Sequence, residues 1–142
     1  AAGAQVADSR EACFGSSDIV SLHVRLKPDT LGIITAADLA TMKDRALFIN
    51  TSRAGLVVEG ALEAEIARDR IFAAVDVLDQ EPLRDTTHPL LTHPNVLPTP
   101  HIGYVTEDEF NLQFTDIFEQ INAFAADAPI HMINPQVWVK TS

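Results

Sequence analysis

Short apolar runs alternate along this chain with segments in which apolar residues recur at helical spacing. This alternation is typical of strand and helix units that build a parallel sheet covered on both faces. The apolar runs predict five strands, at residues 4–6, 18–24, 46–50, 71–77 and 95–97. The helical spacing predicts helices at residues 9–14, 36–42 and 59–69, the second with Thr35 as its N-cap. The pattern therefore predicts an α/β fold.

From residue 80 onwards the chain has a different pattern. Residues 80–94 carry Pro82, Pro89 and Pro94, which predicts a long connection with at most one helical turn, and connections of this length are often functional. Residues 106–126 predict one long amphipathic helix with a phenylalanine-rich face. The tail, residues 131–142, is apolar and is predicted to be extended.

Composition narrows the functional classes. The chain has 142 residues, of which 46% are hydrophobic and 21% charged, as in a soluble globular domain. Its formal charge of -10 disfavours nucleic acid and anionic membranes as partners. The single cysteine, Cys13, has no disulfide or zinc-site partner, and no apolar run approaches the roughly 18 residues of a membrane span. We therefore expect a cytoplasmic protein with no metal site.

Four ionisable residues follow the ends of predicted strands: Arg53, Asp76, Glu81 and His101. Ligands of an open parallel sheet bind beyond the carboxyl ends of its strands, so these side chains are predicted to converge on one crevice. An arginine holds a carboxylate through paired hydrogen bonds, and a histidine beside a carboxylate exchanges protons near neutral pH. The set suits a substrate with a carboxylate next to a carbonyl.

Each of these residues also has a structural interpretation. Arg53 could form only a surface ion pair, and Asp76 or Glu81 could terminate a turn. A hydrolase is a further alternative, because Ser52, Asp76 and His101 occur in the order of a Ser-Asp-His triad, but the nucleophile motif G-x-S-x-G is missing around Ser52. The remaining histidines are interpreted as mainly structural or surface residues: His23, His88, His93 and His131.

Several segments resemble the second half of the cofactor domain of the D-isomer-specific 2-hydroxyacid dehydrogenases. They are SDIVSLHVRLKPDTLGIITAADLATMKDRALFINTSRAG, AAVDVLDQEPL, HPLLTHPNVLPTPHIG and the closing INP. The resemblance implies the second half of a Rossmann-type parallel sheet with flanking helices and a long C-terminal helix. Residues 1–103 would be the C-terminal portion of a dinucleotide-binding domain. Residues 104–142 would be a crossing helix and tail that return to the substrate domain.

The resemblance also implies residue roles in hydride transfer between NAD or NADP and a 2-oxo acid or D-2-hydroxy acid. Arg53 would bind the substrate carboxylate and carbonyl, and Glu81 would orient the proton donor His101 and raise its proton affinity. Asp76 would lie near the nicotinamide carboxamide. The residues implied on the cofactor side are His23, Val24, Thr51, Ser52, Arg53, Asp76, His101 and Gly103. The intact protein would be a homodimer.

The family's phosphate loop, G-x-G-x-x-G, and its N-terminal substrate-domain segment are not among these 142 residues. The small departures Ala54 and Val58 lie after Arg53 and remove no catalytic group. We therefore expect a fragment that is inactive alone, with a C-terminal helix that self-associates or is displaced. The alternative function is a non-catalytic regulator of the same fold that senses a dinucleotide.

Overall fold

The computed structural model describes residues 3–139, and the chain divides between Gly103 and Tyr104 into two compact units. The first unit alternates helices and strands, as the sequence pattern predicts. Its elements are α1 (Arg10–Ser16), β1 (Ile19–Leu22), α2 (Ala36–Thr41), β2 (Leu47–Asn50), a 3₁₀ helix (Ala54–Leu56), α3 (Ala61–Ile66), β3 (Phe72–Val75), α4 (Pro89–Thr92) and β4 (Val96–Pro98).

The four strands form one parallel sheet in the order β1-β2-β3-β4. Their last residues are aligned, because Leu22 pairs with Asn50, Asn50 with Val75 and Val75 with Pro98. The segments that leave these strands therefore start side by side along one edge of the sheet. The α/β class with a Rossmann-like parallel sheet is confirmed.

The core lies where the helices cover the sheet. Phe48 of β2, Leu39 of α2 and Ile66 of α3 are fully buried. Burying each such side chain contributes about 1.5–3 kcal/mol relative to leaving it exposed. The alternate residues of β1, β2 and β3, which point away from this face, remain partly or largely exposed.

An ionic cluster around Glu65 connects α3 with the end of α2. Glu65 is only 4% exposed, and its carboxylate accepts hydrogen bonds from Arg70 Nη2 at 2.7 Å and Arg68 Nη1 at 3.2 Å. Arg70 also donates to the carbonyls of Leu39 and Ala40 at the end of α2. A cation at a helix C-terminus satisfies carbonyls that have no intrahelical partner. The cluster therefore joins α2 to α3.

The predicted strand at residues 4–6 is wrong. These residues have no regular secondary structure, and Val6 is 95% exposed. A strand needs a partner whose backbone completes its hydrogen bonds, and the only partner of β1 in the described sheet is β2. The short apolar run therefore stays solvated.

The other local predictions are confirmed, with bounds that differ by a few residues. The other four predicted strands are present, and residues 80–94 contain a single helical turn. The Thr35 side chain caps α2 by accepting from the backbone N–H of Asp38, whose carboxylate in turn accepts from the N–H of Thr35. This reciprocal pair is a capping box.

The second unit contains α5 (Glu107–Ala125) and a 3₁₀ helix (Pro135–Val137). Thr106 caps α5, and the rings of Phe110, Phe114 and Phe118 follow one another along it with centroids 4.4 and 6.5 Å apart. No residue of α5 is buried. The long helix is thus confirmed, whereas its self-association stays a prediction.

The predicted extended tail is wrong in part, because Pro135–Val137 form a helical turn. Residues 140–142 of that prediction lie outside the described part of the chain. None of the helices formed by residues 3–139 combines the length and apolar character that a membrane crossing requires.

Candidate active site

The site is built on the aligned carboxyl ends of the strands. Asn50 ends β2 and Val75 ends β3, so the segments that carry Arg53 and Glu81 leave neighbouring positions of one sheet edge. The segment after β4 carries His101 to the same edge. Parallel pairing therefore assembles side chains that are far apart in sequence.

Arg53 lies in the short loop between β2 and the 3₁₀ helix, and its side chain is exposed. Its guanidinium donates one hydrogen bond, from Nη1 to the carbonyl of Ser52 at 2.6 Å. The buried carboxamide of Asn50 bonds to both sides of this loop: Oδ1 accepts from Ser52 N at 3.1 Å, and Nδ2 donates to the Arg53 carbonyl at 3.0 Å. The backbone of Arg53 is therefore held while its guanidinium remains accessible.

His101 and Glu81 form a direct pair, with Nδ1 of the imidazole 2.7 Å from Oε2 of the carboxylate. The other carboxylate oxygen of Glu81 accepts from the backbone N–H of Leu78 at 2.9 Å. The hydrogen bond with His101, assisted by the Leu78 N–H and by the positive charge of Arg53, lowers the pKa of Glu81 below its ordinary value. Glu81 is therefore a carboxylate at neutral pH, and it leaves Nε2 as the free ring nitrogen for a ligand.

Arg53, Glu81 and His101 line one cleft of about 420 Å³, together with Leu26, Ala54, Gly55, Val77, Leu78 and Asp79. The three predicted residues are thus brought together. The cleft contains a guanidinium that binds carboxylates, a histidine that transfers protons and a carboxylate that holds the histidine. This combination suits the binding of an anionic carbonyl compound and proton transfer to its oxygen.

Asp76 does not line this cleft, which corrects the prediction that all four groups converge there. The side chain is 4% exposed, and its oxygens accept from Thr99 Oγ1, from Ile102 N at 2.9 Å and from Gly103 N at 2.8 Å. Burial alone would raise the pKa of Asp76, but these hydrogen bonds outweigh burial and lower it below its ordinary value. The carboxylate holds the segment around His101 from beneath.

The hydrogen bonds to Asp76 require a glycine at position 103. A Cβ atom at Gly103 would lie 2.9 Å from Asp76 Oδ2, which is closer than real contacts allow. The absence of a side chain lets the Gly103 N–H reach the buried carboxylate. His101 itself has a φ of +57°, a left-handed conformation that costs energy for a residue with a side chain. The bonds to Asp76 on the C-terminal side of His101 stabilise that turn.

A second hollow of about 500 Å³ lies beside the first and is lined by His23, Val24, Arg25, Leu26, Ser52 and Arg53. Leu26 and Arg53 line both. Thr51, a predicted cofactor residue, is exposed but does not line either cavity. Two arginine side chains and the sheet edge fit an extended anionic ligand such as part of a dinucleotide.

The hydrolase alternative is wrong. The Ser52 hydroxyl donates to the carbonyl of Leu22 at 2.7 Å, and Asp76 bonds to Thr99 and to backbone amides. The imidazole of His101 is paired with Glu81 instead. A triad needs serine, histidine and aspartate in one chain of hydrogen bonds, and here each has a different partner.

Two residues that support the site, Asn50 and Thr99, are not among the site residues that the sequence predicts. A signal for Asn50 exists, since Asn at the end of an apolar strand and before Thr-Ser commonly bonds to the backbone two residues ahead. No comparable local signal identifies Thr99, because its partner Asp76 is 23 residues away.

Comparison with known proteins assigns a family to this geometry. Residues 1–103 match the model of the D-isomer specific 2-hydroxyacid dehydrogenase, NAD binding domain. The chain is 38% identical over 120 residues to a D-3-phosphoglycerate dehydrogenase of Methanocaldococcus jannaschii, a match that covers 84% of this chain and 22% of that protein. It is 35% identical over 127 residues to a glycerate dehydrogenase of Methylorubrum extorquens, covering 87% of this chain and 40% of that protein.

A solved structure shows the same backbone. The phosphoglycerate oxidoreductase from Vibrio cholerae o395 superimposes with a TM-score of 0.83 at 44% identity, over 89% of this chain and 40% of that one. The chain therefore spans two fifths or less of the length of these proteins.

Proposed function

Because the chain belongs to the D-isomer-specific 2-hydroxyacid dehydrogenase family, we propose that the whole protein transfers a hydride between NAD(P)H and a 2-oxo acid, or the reverse from a D-2-hydroxy acid. The observation that supports this most directly is the His101–Glu81 pair at 2.7 Å in the same cleft as Arg53. This cleft offers one group for each demand of the reaction: an anion holder, a proton donor and a partner that orients the donor.

Arg53 is proposed to bind the substrate carboxylate. Its guanidinium donates only to the Ser52 carbonyl among the described residues, which leaves further N–H donors for a ligand. A planar guanidinium and a planar carboxylate match through two parallel hydrogen bonds. In that position Arg53 also stabilises negative charge that develops on the neighbouring carbonyl oxygen.

His101 is proposed to transfer the proton. Glu81 engages Nδ1, so Nε2 is the nitrogen that gives a proton to the substrate oxygen during reduction and accepts it during oxidation. The carboxylate of Glu81, ionised at neutral pH, is bonded to Nδ1 and thereby orients the ring. A nicotinamide bound here would supply the hydride to the carbonyl carbon during reduction, or would take it from the hydroxyl-bearing carbon during oxidation.

We propose that the cofactor is held at the second hollow, where four of its predicted contacts lie: His23, Val24, Ser52 and Arg53. Asp76 and Gly103 instead hold the segment around His101, which lines the first cleft. The family model describes an NAD-binding domain. Measurement of KM for NADH and for NADPH with the full-length protein decides which of the two cofactors it uses.

The test is the rate of NADH or NADPH oxidation by the full-length protein with glyoxylate, hydroxypyruvate and pyruvate. We expect His101→Gln to lower kcat by about 10²–10⁴-fold, the usual contribution of a general acid. Arg53→Gln should raise KM for the 2-oxo acid, because it removes a contact made to the substrate before and during reaction. Arg84→Gln and His93→Gln are matched controls that should change neither constant.

A full-length protein that binds dinucleotide but reduces none of these acids would contradict the dehydrogenase and favour the regulatory alternative. Wild-type rates in His101→Gln would contradict the assigned proton donor.

We also propose that residues 1–103 are the C-terminal part of the cofactor domain and that residues 104–142 return to a substrate domain. The intact protein is proposed to be a cytoplasmic homodimer. The exposed phenylalanines of α5 support the homodimer. The single cysteine, Cys13, is free, which supports the cytoplasmic location. Light scattering of the full-length protein and its localisation by fractionation test them.

A further inference from the structure

Asn50 is a buried polar residue whose role the proposed mechanism does not include. Its side chain lies at the carboxyl end of β2, in the core-facing alternation of that strand, and the residue is 2% exposed. Both ends of its carboxamide are used within the next three residues, by Ser52 N and the Arg53 carbonyl. A buried amide of this kind is retained only when its donors and acceptor are satisfied.

The same loop is tied at two further points. Ser52 Oγ donates to the carbonyl of Leu22 at 2.7 Å, which joins the loop to the end of β1. The carbonyl of Arg53 also accepts from Leu56 N at 3.3 Å, at the start of the 3₁₀ helix. The loop is therefore anchored to β1 on one side and to the 3₁₀ helix on the other, with Asn50 between them.

The main effect of these contacts is on the position of Arg53, and the pairing of the strands does not depend on them. The ladder beside Asn50 is completed by its own backbone, whose carbonyl accepts from Asp76 N at 3.0 Å without the carboxamide. The carboxamide instead fixes the Thr51–Ser52 peptide group, through Ser52 N, and the Arg53–Ala54 peptide group, through the Arg53 carbonyl. These two peptide groups enclose Ser52 and Arg53, so holding both of them limits the direction in which the guanidinium leaves the backbone.

We propose that Asn50 is a positioning residue, whose carboxamide holds the loop so that Arg53 presents its guanidinium to the substrate carboxylate. This inference rests on the proposed function. It assigns to Asn50 a share of substrate binding although the side chain is buried and does not line the Arg53–Glu81–His101 cleft.

The variant that tests it is Asn50→Asp in the full-length protein. Aspartate keeps the shape and still accepts from Ser52 N, but it cannot donate to the Arg53 carbonyl. Misplacing a binding group by about 1 Å costs up to about 10²-fold, so we expect kcat/KM for the 2-oxo acid to fall about 10–100-fold. KM for NADH should change much less. Asn50→Ser is a second variant that introduces no charge. It also loses the bond to the Arg53 carbonyl, because the serine side chain is too short to reach it.

A double-mutant cycle separates positioning from general stability. In an Arg53→Met background the guanidinium is absent, so Asn50→Asp should lower the remaining kcat/KM by less than about threefold. Additive losses would show a structural role and overturn the inference. A change below about threefold in both single Asn50 variants would overturn it too. Asn95→Asp, at the opposite end of the sheet, is the matched control.

A measurement without turnover distinguishes failure of this inference from failure of the proposed function. In the 142-residue chain, NMR relaxation should show greater mobility of the amides of Ser52, Arg53 and Ala54 in Asn50→Asp and Asn50→Ser. The Asp76 amide, bonded to the Asn50 carbonyl, should stay protected from exchange. Unchanged mobility of the loop would overturn the inference whether or not the full-length protein reduces a 2-oxo acid.

Discussion

Replacing Asp76 by asparagine tests the most highly connected buried carboxylate of the site. Asparagine has the same shape, but one of its two oxygens becomes an NH₂ group. If that group replaces Oδ1 it faces the N–H of Ile102, and if it replaces Oδ2 it faces the N–H of Gly103. Either orientation leaves a backbone donor opposite another donor, so at least one hydrogen bond is lost.

The magnitude follows from the kind of bond lost. A hydrogen bond to a charged group contributes about 1.5–3 kcal/mol, and those that remain become neutral and weaker. Removing the buried charge offsets part of this loss, because the anion no longer has to be desolvated. We expect Asp76→Asn to lower the free energy of unfolding by about 2–3 kcal/mol, a size typical of breaking a buried polar network.

The assay is urea unfolding of the 142-residue chain followed by the NMR amide signals of β2 and β3. These signals are read from the sheet itself, because the single tryptophan, Trp138, belongs to the second unit. With a slope of about 1–3 kcal/mol per molar urea, the midpoint should fall by about 0.7–3 M. The control Asp29→Asn changes an exposed carboxylate and should stay within about 0.5 kcal/mol. A shift for Asp76→Asn no larger than this control would refute the reasoning.

The pH dependence of the free energy of unfolding is an independent test of the ionised state of Asp76. The folded-state pKa of Asp76 is lowered from an ordinary value of 3.8, so its stabilising contribution is fully present above that value and is lost as the pH falls through the folded pKa. The stability gap between wild type and Asp76→Asn should therefore be constant at neutral pH and narrow below about pH 3.8. A gap that widens in acid would contradict the ionised, hydrogen-bonded carboxylate.

Three further predictions use the same chain. Gly103→Ala should destabilise the first unit by about 1–3 kcal/mol in the same urea assay, since the added Cβ must displace the Asp76 carboxylate from its bonds; wild-type stability would show that the carboxylate moves freely. Arg70→Met should cost about 3–5 kcal/mol because it leaves the buried Glu65 without its main partner, and Arg70→Met combined with Glu65→Met should recover part of the loss. The 142-residue chain alone should oxidise no NADH with glyoxylate, because it lacks the G-x-G-x-x-G donors that hold a pyrophosphate; turnover near the full-length rate would contradict this.

Local patterns were sufficient for the elements that bury their own apolar residues. The runs that became β1 to β4 are flanked by helical segments whose apolar faces cover them, so periodicity alone predicted a parallel α/β sheet. The Thr35 cap depends only on a residue three positions ahead, which is within reach of sequence reasoning. Arg53, Glu81 and His101 were found because parallel strands bring their carboxyl ends to one edge.

Only the tertiary structure decided what each strand-end side chain meets. Residues 4–6 have the composition of a strand, but no backbone within residues 3–139 pairs with them, so they stay solvated. Asp76 looks like a cleft residue by position, yet the segment after β4 passes over it and uses both of its oxygens. Asn50 looks like the end of an apolar run and instead holds the loop of Arg53. Apolar periodicity is a property of adjacent residues, whereas the partner of a buried polar group depends on segments that meet only in the folded chain.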